Sequence, residues 1–370
     1  MPSNTASSPR GRLPDLPLWT ILTPLFAGMV MAAAAFDLSL GGVFVTVIAA
    51  SLAASVFAAV HHAEVVAHRI GEPYGTLVLA LAVTLIEVAL IVSLMIAGGT
   101  EAAALARDTV FAAVMIILNG IIGLCLVVGG LKHSQQTFNL DAVSAALVAL
   151  AAIVILTLVF PNYTVTTPGP FYSPSQLMLI AVVSLAIYGA FVFAQTIGHR
   201  RIFVHDLAEE EQQHASRPSN AVTAAGAILL LACLAAVVLL AKKLAPGLET
   251  AVARVGAPNA VVGVIIAAIV LLPEGLAALR AARANRLQTS LNLALGSALA
   301  SIGLTIPAVS VLSLYMQTRL VLGIDTKSTV LLILSLFITA IALRTGRTIV
   351  LHGIVLLVIF VVYLFTTVIP

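Results

Sequence analysis

Two stretches of the chain decide its fold: GEPYGTLVLALAVTLIEVAL at residues 71–90 and GAPNAVVGVIIAAIVLLPEGLAAL at residues 256–279. Each has Gly-x-Pro, then an apolar run long enough to cross a membrane, then one glutamate. The glutamate follows the glycine by 16 residues in the first copy, at Glu87, and by 18 in the second, at Glu274. The pattern indicates an internal repeat with one acid in each copy.

The apolar character of these stretches extends to the whole chain. Of 370 residues, 61% are hydrophobic and 9% are charged, whereas about 25% of residues are charged in an ordinary soluble domain. Apolar runs of membrane-crossing length recur almost to the end, separated by short polar connections. The sequence therefore predicts an all-α polytopic membrane protein whose partner is the lipid bilayer. Its 18 Lys and Arg residues are dispersed over many connections, which fits lipid headgroups and gives no basis for a nucleic-acid role.

Breaks at charged residues, Gly and Pro divide the chain into eleven predicted transmembrane helices. They lie near residues 19–36, 43–60, 74–97, 109–131, 141–160, 175–197, 221–241, 258–279, 288–314, 320–343 and 347–369. The predicted domains are a cytoplasmic tail (1–17), an extra N-terminal helix segment (18–42), a first repeat (43–197), an acidic cytoplasmic linker (198–220) and a second repeat (221–370). Because each repeat has an odd number of helices, the two copies are inserted in opposite orientations, an architecture that recurs in transporters.

The basic residues predict which ends of the helices face the cytoplasm. With the N-terminus inside, twelve Lys and Arg fall on inner connections and six on outer ones. Basic residues concentrate on the cytoplasmic side of membrane proteins. We therefore expect a cytoplasmic N-terminus and an external C-terminus.

Sorting the 15 acidic residues by depth leaves only Glu87 and Glu274 well inside predicted helices. An ionised carboxylate at membrane depth costs at least about 2.5 kcal/mol, and the sequence places no Lys or Arg at comparable depth. One interpretation is that each acid is protonated and hydrogen-bonds between helices. The interpretation that we favour is that both carboxylates meet near the middle of the bilayer and bind a hard cation such as Ca²⁺, which prefers oxygen ligands.

The same two carboxylates account for proton coupling. Burial disfavours a charged carboxylate, whereas a bound divalent cation favours it. Protons and cation then compete for one pair of groups, which predicts an antiporter with alternating access and no cofactor. An intramembrane enzyme would need a nucleophile or metal triad at depth, which the sequence lacks. A channel would need a ring of equivalent groups from several subunits, whereas two acids in one chain suit an occluded site.

Irregular backbone is predicted beside the acid of the second repeat. Pro273 cannot donate a backbone hydrogen bond to the carbonyl of Ile269, so we expect it to open the helix just before Glu274 and free a cation ligand. Gly296 permits irregular backbone or a close approach between helices. Both residues are therefore candidates for shaping the site.

Four polar residues are candidates for binding the cation or supporting the acids. Ser297 and Ser301 lie one turn apart on one helix face, and Asn119 lies on the equivalent helix of the first repeat. Each of these three is either a ligand or an interhelical hydrogen-bonding group. Thr84 lies on the same face as Glu87, where its hydroxyl either supports the acid or bonds its own helix backbone.

Longer stretches around these residues resemble a known family. HHAEVVAHRIGEPYGTLVLALAVTLIEVAL with RDTVFAAVMIILNGIIGLCLVVGG, and LLPEGLAALRAARANRLQTSLNLALGSALASIGLTIP, are similar to the two α-repeats of ChaA-type Ca²⁺(Na⁺,K⁺)/H⁺ antiporters of the calcium:cation antiporter superfamily. The resemblance implies an eleven-helix, five-plus-five inverted-repeat fold in the bacterial inner membrane that exports cations against protons; the external C-terminus predicted from the basic residues would then lie in the periplasm. It also implies that Glu87 and Glu274 are the repeat glutamates, with Asn119 and the Gly296-Ser297 segment beside them.

The chain departs from eukaryotic-type exchangers of that superfamily at three positions. Those proteins carry Asn three residues before each glutamate, where this chain has Thr84 and Leu271. Met115 occupies the position of the first repeat that matches Ser297. Because side-chain oxygens are fewer, the transported cation is left open among Ca²⁺, Na⁺ and K⁺.

Two groups outside the site are candidates for regulation. One is a helix stripe near the cytoplasmic face, formed by His61, Glu64 and His68. The other is an acidic run in the linker, formed by Glu209, Glu210 and Glu211. The stripe is interpreted as a solvated face or as a pH-sensing or cation-entry element. An acidic run is usually a solvated linker, and the family resemblance implies a cation-sensing role for it.

Overall fold

The structure is a computed structural model that describes residues 16–35, 42–71, 74–98, 103–198, 218–254, 256–258 and 260–369. This part of the chain forms eleven long helices and one short antiparallel ribbon. The helices are α1 (Leu18–Ala35), α2 (Gly42–Ile70), α3 (Tyr74–Gly98), α4 (Leu105–His133), α5 (Leu140–Tyr163), α6 (Pro174–Gly198), α7 (Asn220–Arg254), α8 (Ala260–Arg283), α9 (Leu287–Met316), α10 (Thr326–Leu343) and α11 (Val350–Val368). The ribbon pairs β1 (Gln136–Thr137) with β2 (Arg347–Thr348).

The outer surface of the helices is apolar. Nine of the described helices are long and apolar enough to cross a membrane, and the described parts of α1 and α3 add two shorter apolar helices. Large apolar side chains point outward, among them Met29, Leu131 and Phe337, which are 63%, 73% and 60% exposed. A surface of this kind is stable in lipid and not in water. The predicted all-α polytopic membrane protein is confirmed.

Most predicted helix ends agree with the structure within about four residues, and three do not. Helices α2 and α7 continue to Ile70 and Arg254 instead of ending near residues 60 and 241. Helix α10 begins at Thr326 instead of near residue 320, because the Asp325 side chain accepts a hydrogen bond from the backbone N–H of Ser328 and caps the helix. The apolar residues that suggested an earlier start are buried in the preceding loop, namely Leu320, Leu322 and Ile324.

Helices α2–α6 pack in the same pattern as helices α7–α11, with α2 matching α7, α3 matching α8, and so on to α6 and α11. Helix α3 packs on α9 as α8 packs on α4, and α4 packs on α11 as α9 packs on α6. The connections obey the same rule. On one side the α4–α5 and α10–α11 connections pair through the β1–β2 ribbon. On the other side the backbone N–H groups of Leu322 and Gly323 both donate to the carbonyl of Pro170, which joins the α9–α10 and α5–α6 connections. The fold is therefore the five-plus-five inverted repeat with α1 added.

The buried apolar residues form two main clusters, with α3 and α8 at the boundary between them. One cluster is built mainly by α4, α5, α6, α9, α10 and α11, and the other by α1, α2, α7 and the remaining faces of α3 and α8. On α3, Ile91 belongs to the first cluster and Leu90 to the second; on α8, Leu271 belongs to the first and Val270 to the second. The two helices that carry the intramembrane acids therefore lie where two separately packed cores meet.

Candidate functional site

The Glu87 carboxylate lies inside the protein on α3. The residue is 5% exposed, and its Oε1 accepts a hydrogen bond of 2.5 Å from the Ser301 hydroxyl of α9. The contact joins the first repeat to the second, because α3 packs along α9. Of the two serines singled out from the sequence, Ser301 is the one that reaches the acid.

The Glu274 residue is partly exposed, but one of its carboxylate oxygens is buried and unpaired. Its Oε2 is inaccessible and has no hydrogen-bond partner in the described part of the chain. Its charge is close enough to interact with that of Glu87. The expectation that Pro273 opens the helix is wrong, since α8 is helical from Ala260 to Arg283 and Pro273 is buried within it. The missing N–H leaves the helix otherwise intact.

Glycines hold α8 close to α4 along their shared length. A Cβ added at Gly263 would lie 3.0 Å from the backbone carbon of Asp108, and one added at Gly275 would lie 3.2 Å from Cδ1 of Ile121. The two contacts are separated by about the same number of residues on each helix, so the helices run in parallel. Gly275 follows Glu274 directly, and the acid is therefore placed beside the segment of α4 that contains Asn119.

Asn119 lies in an irregular segment of α4. Residues Ile116–Ile121 form a π-helical turn within the α-helix, a feature found frequently at functional sites. The buried amide nitrogen donates to the Met115 carbonyl at 3.4 Å and to the Ser335 hydroxyl at 2.9 Å. The amide oxygen, Oδ1, is buried and has no hydrogen-bond partner among the described residues.

The two halves of the site differ in how many of their polar atoms have hydrogen-bond partners. In the repeat alignment that matches Met115 with Ser297, Asn119 matches Ser301. Ser301 bonds Glu87, whereas the Asn119 oxygen and the Glu274 Oε2 are both buried acceptors without donors in the described structure. Buried polar atoms normally have partners because an unpaired one is costly. Two unpaired acceptors on neighbouring helices therefore suit a cation or a proton.

Three other predicted site residues make no hydrogen bond to either acid in the described structure. The Thr84 hydroxyl donates to the carbonyl of Ala80 at 2.9 Å, so it bonds its own helix and not Glu87. Ser297 is partly exposed and has no hydrogen bond to the described residues. Gly296 does not mediate a close helix contact, because a Cβ added there would meet no atom within 4 Å.

Exposure around the site differs between the repeats. Gly296 and Ser297 of α9 are partly exposed, whereas the matching residues of α4, Val114 and Met115, are fully buried at 0% exposure. The whole stretch of α4 from residue 109 to residue 119 is buried. The residues beside the acids are therefore more exposed on the N-terminal half of α9 than on the N-terminal half of α4.

The candidate regulatory residues do not form one cluster. The His61 ring lies 6.0 Å from the Trp19 ring of α1, while Glu64 is exposed and interacts electrostatically with His68 and Arg280. No group of three or more His, Cys, Asp or Glu converges as a metal site within the described ranges. The acidic run Glu209, Glu210 and Glu211 lies outside the described residues.

The sequence did not single out His62 and Ser335. Both are fully buried at 0% exposure, and His62 Nε2 lies 3.2 Å from the Thr20 carbonyl of α1. Ser335 of α10 contacts Asn119. A single serine in an apolar helix has no pattern that marks it, so only the packing of α10 reveals this contact.

Comparison with known proteins gives the family. The sodium/calcium exchanger protein family matches residues 38–197 and 225–369, which is most of the chain. The chain belongs to this family. It is therefore a multi-pass ion antiporter of the membrane and not an enzyme, and the resemblance to ChaA-type antiporters inferred from the sequence is confirmed.

Relatives support the same assignment. The chain is 48% identical over 97% of its length to the putative ionic transporter y4hA of Sinorhizobium fredii (strain NBRC 101917 / NGR234), covering 98% of that protein. It is 39% identical over 84% of its length to the sodium-potassium/proton antiporter ChaA of Escherichia coli (strain K12), covering 85% of it. The H⁺/Ca²⁺ exchanger CAX has the same fold, with a TM-score of 0.71, 14% identity, and coverage of 95% of this chain and 89% of that one.

Proposed function

We propose that this protein exchanges Ca²⁺ for H⁺ across the bacterial inner membrane by alternating access. Glu87 and Glu274 bind the cation and the protons in turn. The observation that carries the proposal is the buried Glu274 Oε2, which has no donor among the described residues and whose charge interacts with that of Glu87. Two neighbouring buried carboxylates cannot both stay charged without compensation, and a cation or protons supply it.

The surrounding oxygens fit a cation as the compensating group. The Asn119 Oδ1 and Glu274 Oε2 are unpaired acceptors, and Ser301 contributes a hydroxyl beside Glu87. Ser297 is partly exposed on the same face of α9 as Ser301. Ca²⁺ takes about 6 to 8 oxygen ligands from carboxylates, amides, hydroxyls, carbonyls and water. We propose that Glu87, Glu274, Asn119 and Ser301 bind the ion, and that Ser297 is at its entry.

The unequal exposure of the repeats supports alternating access. The predicted orientation, with the N-terminus in the cytoplasm and the C-terminus in the periplasm, places the N-terminal half of α9 on the cytoplasmic side. In this proposal the partly exposed Gly296 and Ser297 line a cytoplasmic opening of the site, and the buried half of α4 forms the closed periplasmic side. If each repeat adopts the conformation that the other has here, the site becomes accessible from the periplasm instead of the cytoplasm, as in other inverted-repeat transporters.

A monovalent cation is the second candidate. The Thr84 hydroxyl bonds its own helix backbone, and Leu271 at the equivalent position carries no oxygen. The Escherichia coli relative, at 39% identity, is named a sodium-potassium/proton antiporter. A poor set of side-chain oxygens favours Na⁺ or K⁺ over Ca²⁺, so the test must compare the three ions.

The test is cation-driven dissipation of a preformed pH gradient in proteoliposomes, titrated with Ca²⁺, Na⁺ and K⁺. We expect Glu87→Gln and Glu274→Gln each to abolish cation-dependent proton movement, because glutamine can neither take up a proton nor carry the charge that the cation neutralises. Asp141→Asn is the matched control, since Asp141 is exposed in the first turn of α5, and should transport normally. Wild-type exchange in either site variant would rule out the proposed mechanism.

A further inference from the structure

The cluster formed by Asn119, Met115 and Ser335 joins the site to α10, a helix of the second repeat in which the sequence singled out no site residue. Ser335 is fully buried at 0% exposure, and its Oγ lies 2.9 Å from the amide nitrogen of Asn119. Asn119 belongs to the first repeat and Ser335 to the second. The contact therefore fixes a candidate ligand of one half with a side chain of the other.

The chemistry of the neighbours fixes which end of the Asn119 amide faces them. Ser335 Oγ donates its one proton to the Leu331 carbonyl at 2.7 Å, and while it keeps this bond it offers Asn119 only its lone pairs. The Met115 carbonyl, 3.4 Å from the amide nitrogen, is also an acceptor and never a donor. The Met115 carbonyl therefore requires the NH₂ end, and the Ser335 hydroxyl favours the same end because it then keeps its bond to Leu331. The amide oxygen must then point the other way, where it is buried and unpaired.

We infer that Ser335 is a positioning residue for cation transport, holding the Asn119 amide so that its oxygen faces the transported ion; this inference rests on the proposed function. A rotation of the amide by 180° would set Oδ1 against the Met115 carbonyl, would let Ser335 bond it only by giving up the Leu331 carbonyl, and would turn the NH₂ group toward the ion. Cations bind the oxygen of an amide and are repelled by its N–H groups. Ser335 therefore acts on cation affinity without touching the ion.

The symmetry of the fold explains why only one repeat needs this device. Ser301, which matches Asn119, has a hydroxyl that rotates to suit its neighbours and bonds Glu87 directly. An amide has two chemically different ends, and nothing in its shape selects between them. Ser335 selects the end because its hydroxyl proton is held by the Leu331 carbonyl at 2.7 Å.

The experiment measures the cation concentration that gives half-maximal dissipation of the pH gradient in proteoliposomes. We expect Ser335→Ala to raise it by about 5- to 10-fold, the loss of roughly one hydrogen bond, with a smaller change in maximal rate. Ser335→Thr keeps the acceptor hydroxyl and should restore the wild-type value. Thr339→Ala is the matched control, because Thr339 lies one turn further along α10 with a buried hydroxyl that has no described partner.

Each outcome decides the inference. An unchanged half-maximal concentration in Ser335→Ala, or an equal rise in Thr339→Ala, would overturn it. If Ser335→Ala does not fold, Ser335→Cys decides, since a thiol is a weaker acceptor of similar size: an intermediate rise supports the inference and a wild-type value overturns it. Wild-type protein without cation-driven exchange would defeat the proposed function as well, whereas active wild type with unaffected variants would defeat this inference alone.

Discussion

At the scale of single residues, the two halves of the site differ in the hydrogen bonds that they can make. Ser301 and Asn119 occupy matching positions, but the serine can give a proton to a carboxylate while the asparagine has its NH₂ group turned to Met115 and Ser335. One acid is therefore held by a donor and the other is left with an unpaired oxygen. The backbone of the two repeats is related by symmetry, but the hydrogen bonds around the two acids are different.

The Ser301 hydroxyl should contribute measurably to stability. We expect Ser301→Ala to lower the free energy of unfolding of the cation-free protein by about 1 to 3 kcal/mol, because Glu87 loses its donor while staying buried. Chemical unfolding of purified protein in detergent gives the value. Ser310→Ala is the control, since Ser310 is buried on the same helix with no described hydrogen-bond partner, and it should be close to neutral. Equal losses in both variants would show that the Ser301–Glu87 bond has no special weight.

At the scale of helices, small residues set how closely the elements approach. Without a hydrophobic driving force between helices in lipid, association depends on packing, and glycine permits the closest contact. Helix α4 meets α11 at such a point: a Cβ added at Gly353 would lie 2.6 Å from the Gly123 carbonyl oxygen and 2.7 Å from the Val127 nitrogen. Gly123 lies two residues beyond the π-helical turn that contains Asn119.

Gly353→Ala should therefore push α11 away from α4. Both atoms that the new methyl would meet are backbone, so neither can move aside cheaply, and we expect a loss of about 1 to 3 kcal/mol in stability. Gly189→Ala on α6 is the matched control, because nothing lies within 4 Å of its added Cβ; it should be neutral or gain up to about 1 kcal/mol of helix propensity. Thermal unfolding in detergent distinguishes them, and a Gly353→Ala variant as stable as the control would contradict this packing.

At the scale of the whole molecule, the inverted repeat and the basic residues together predict the orientation in the membrane. The α4–α5 connection with its β1–β2 ribbon should lie in the cytoplasm and the α5–α6 connection in the periplasm. Gln135 and Val165 are exposed on these two connections. Both native cysteines, Cys125 and Cys233, are buried, so cysteines introduced at these positions can be labelled over a low background.

We expect a membrane-impermeant maleimide to label Val165→Cys in intact spheroplasts and Gln135→Cys only in inside-out vesicles. Val165 is 93% exposed, so its labelling depends on the side of the membrane and not on burial. The two variants serve as controls for each other. Labelling of Gln135→Cys in spheroplasts, with Val165→Cys protected, would reverse the proposed orientation and with it the side to which the site is open.

The sequence by itself determined the membrane class, the eleven helices, the inverted repeat and the two intramembrane acids. These follow from local properties, since a hydrophobic run of membrane length and an acid within it are visible without knowing any contact. The sequence did not predict the longer α2 and α7 or the later start of α10. At α10 the reason is that apolar residues such as Leu322 are buried in the loop before the helix and are not part of it.

Only the tertiary structure decided which groups meet around the acids. It selected Ser301 over Ser297 as the partner of Glu87, turned Thr84 to its own backbone and brought Ser335 to Asn119. The physical reason is that the rotation and spacing of packed helices depend on contacts among distant segments. A polar residue's position in an apolar run gives its depth, but its partner is set by the helix that packs against it.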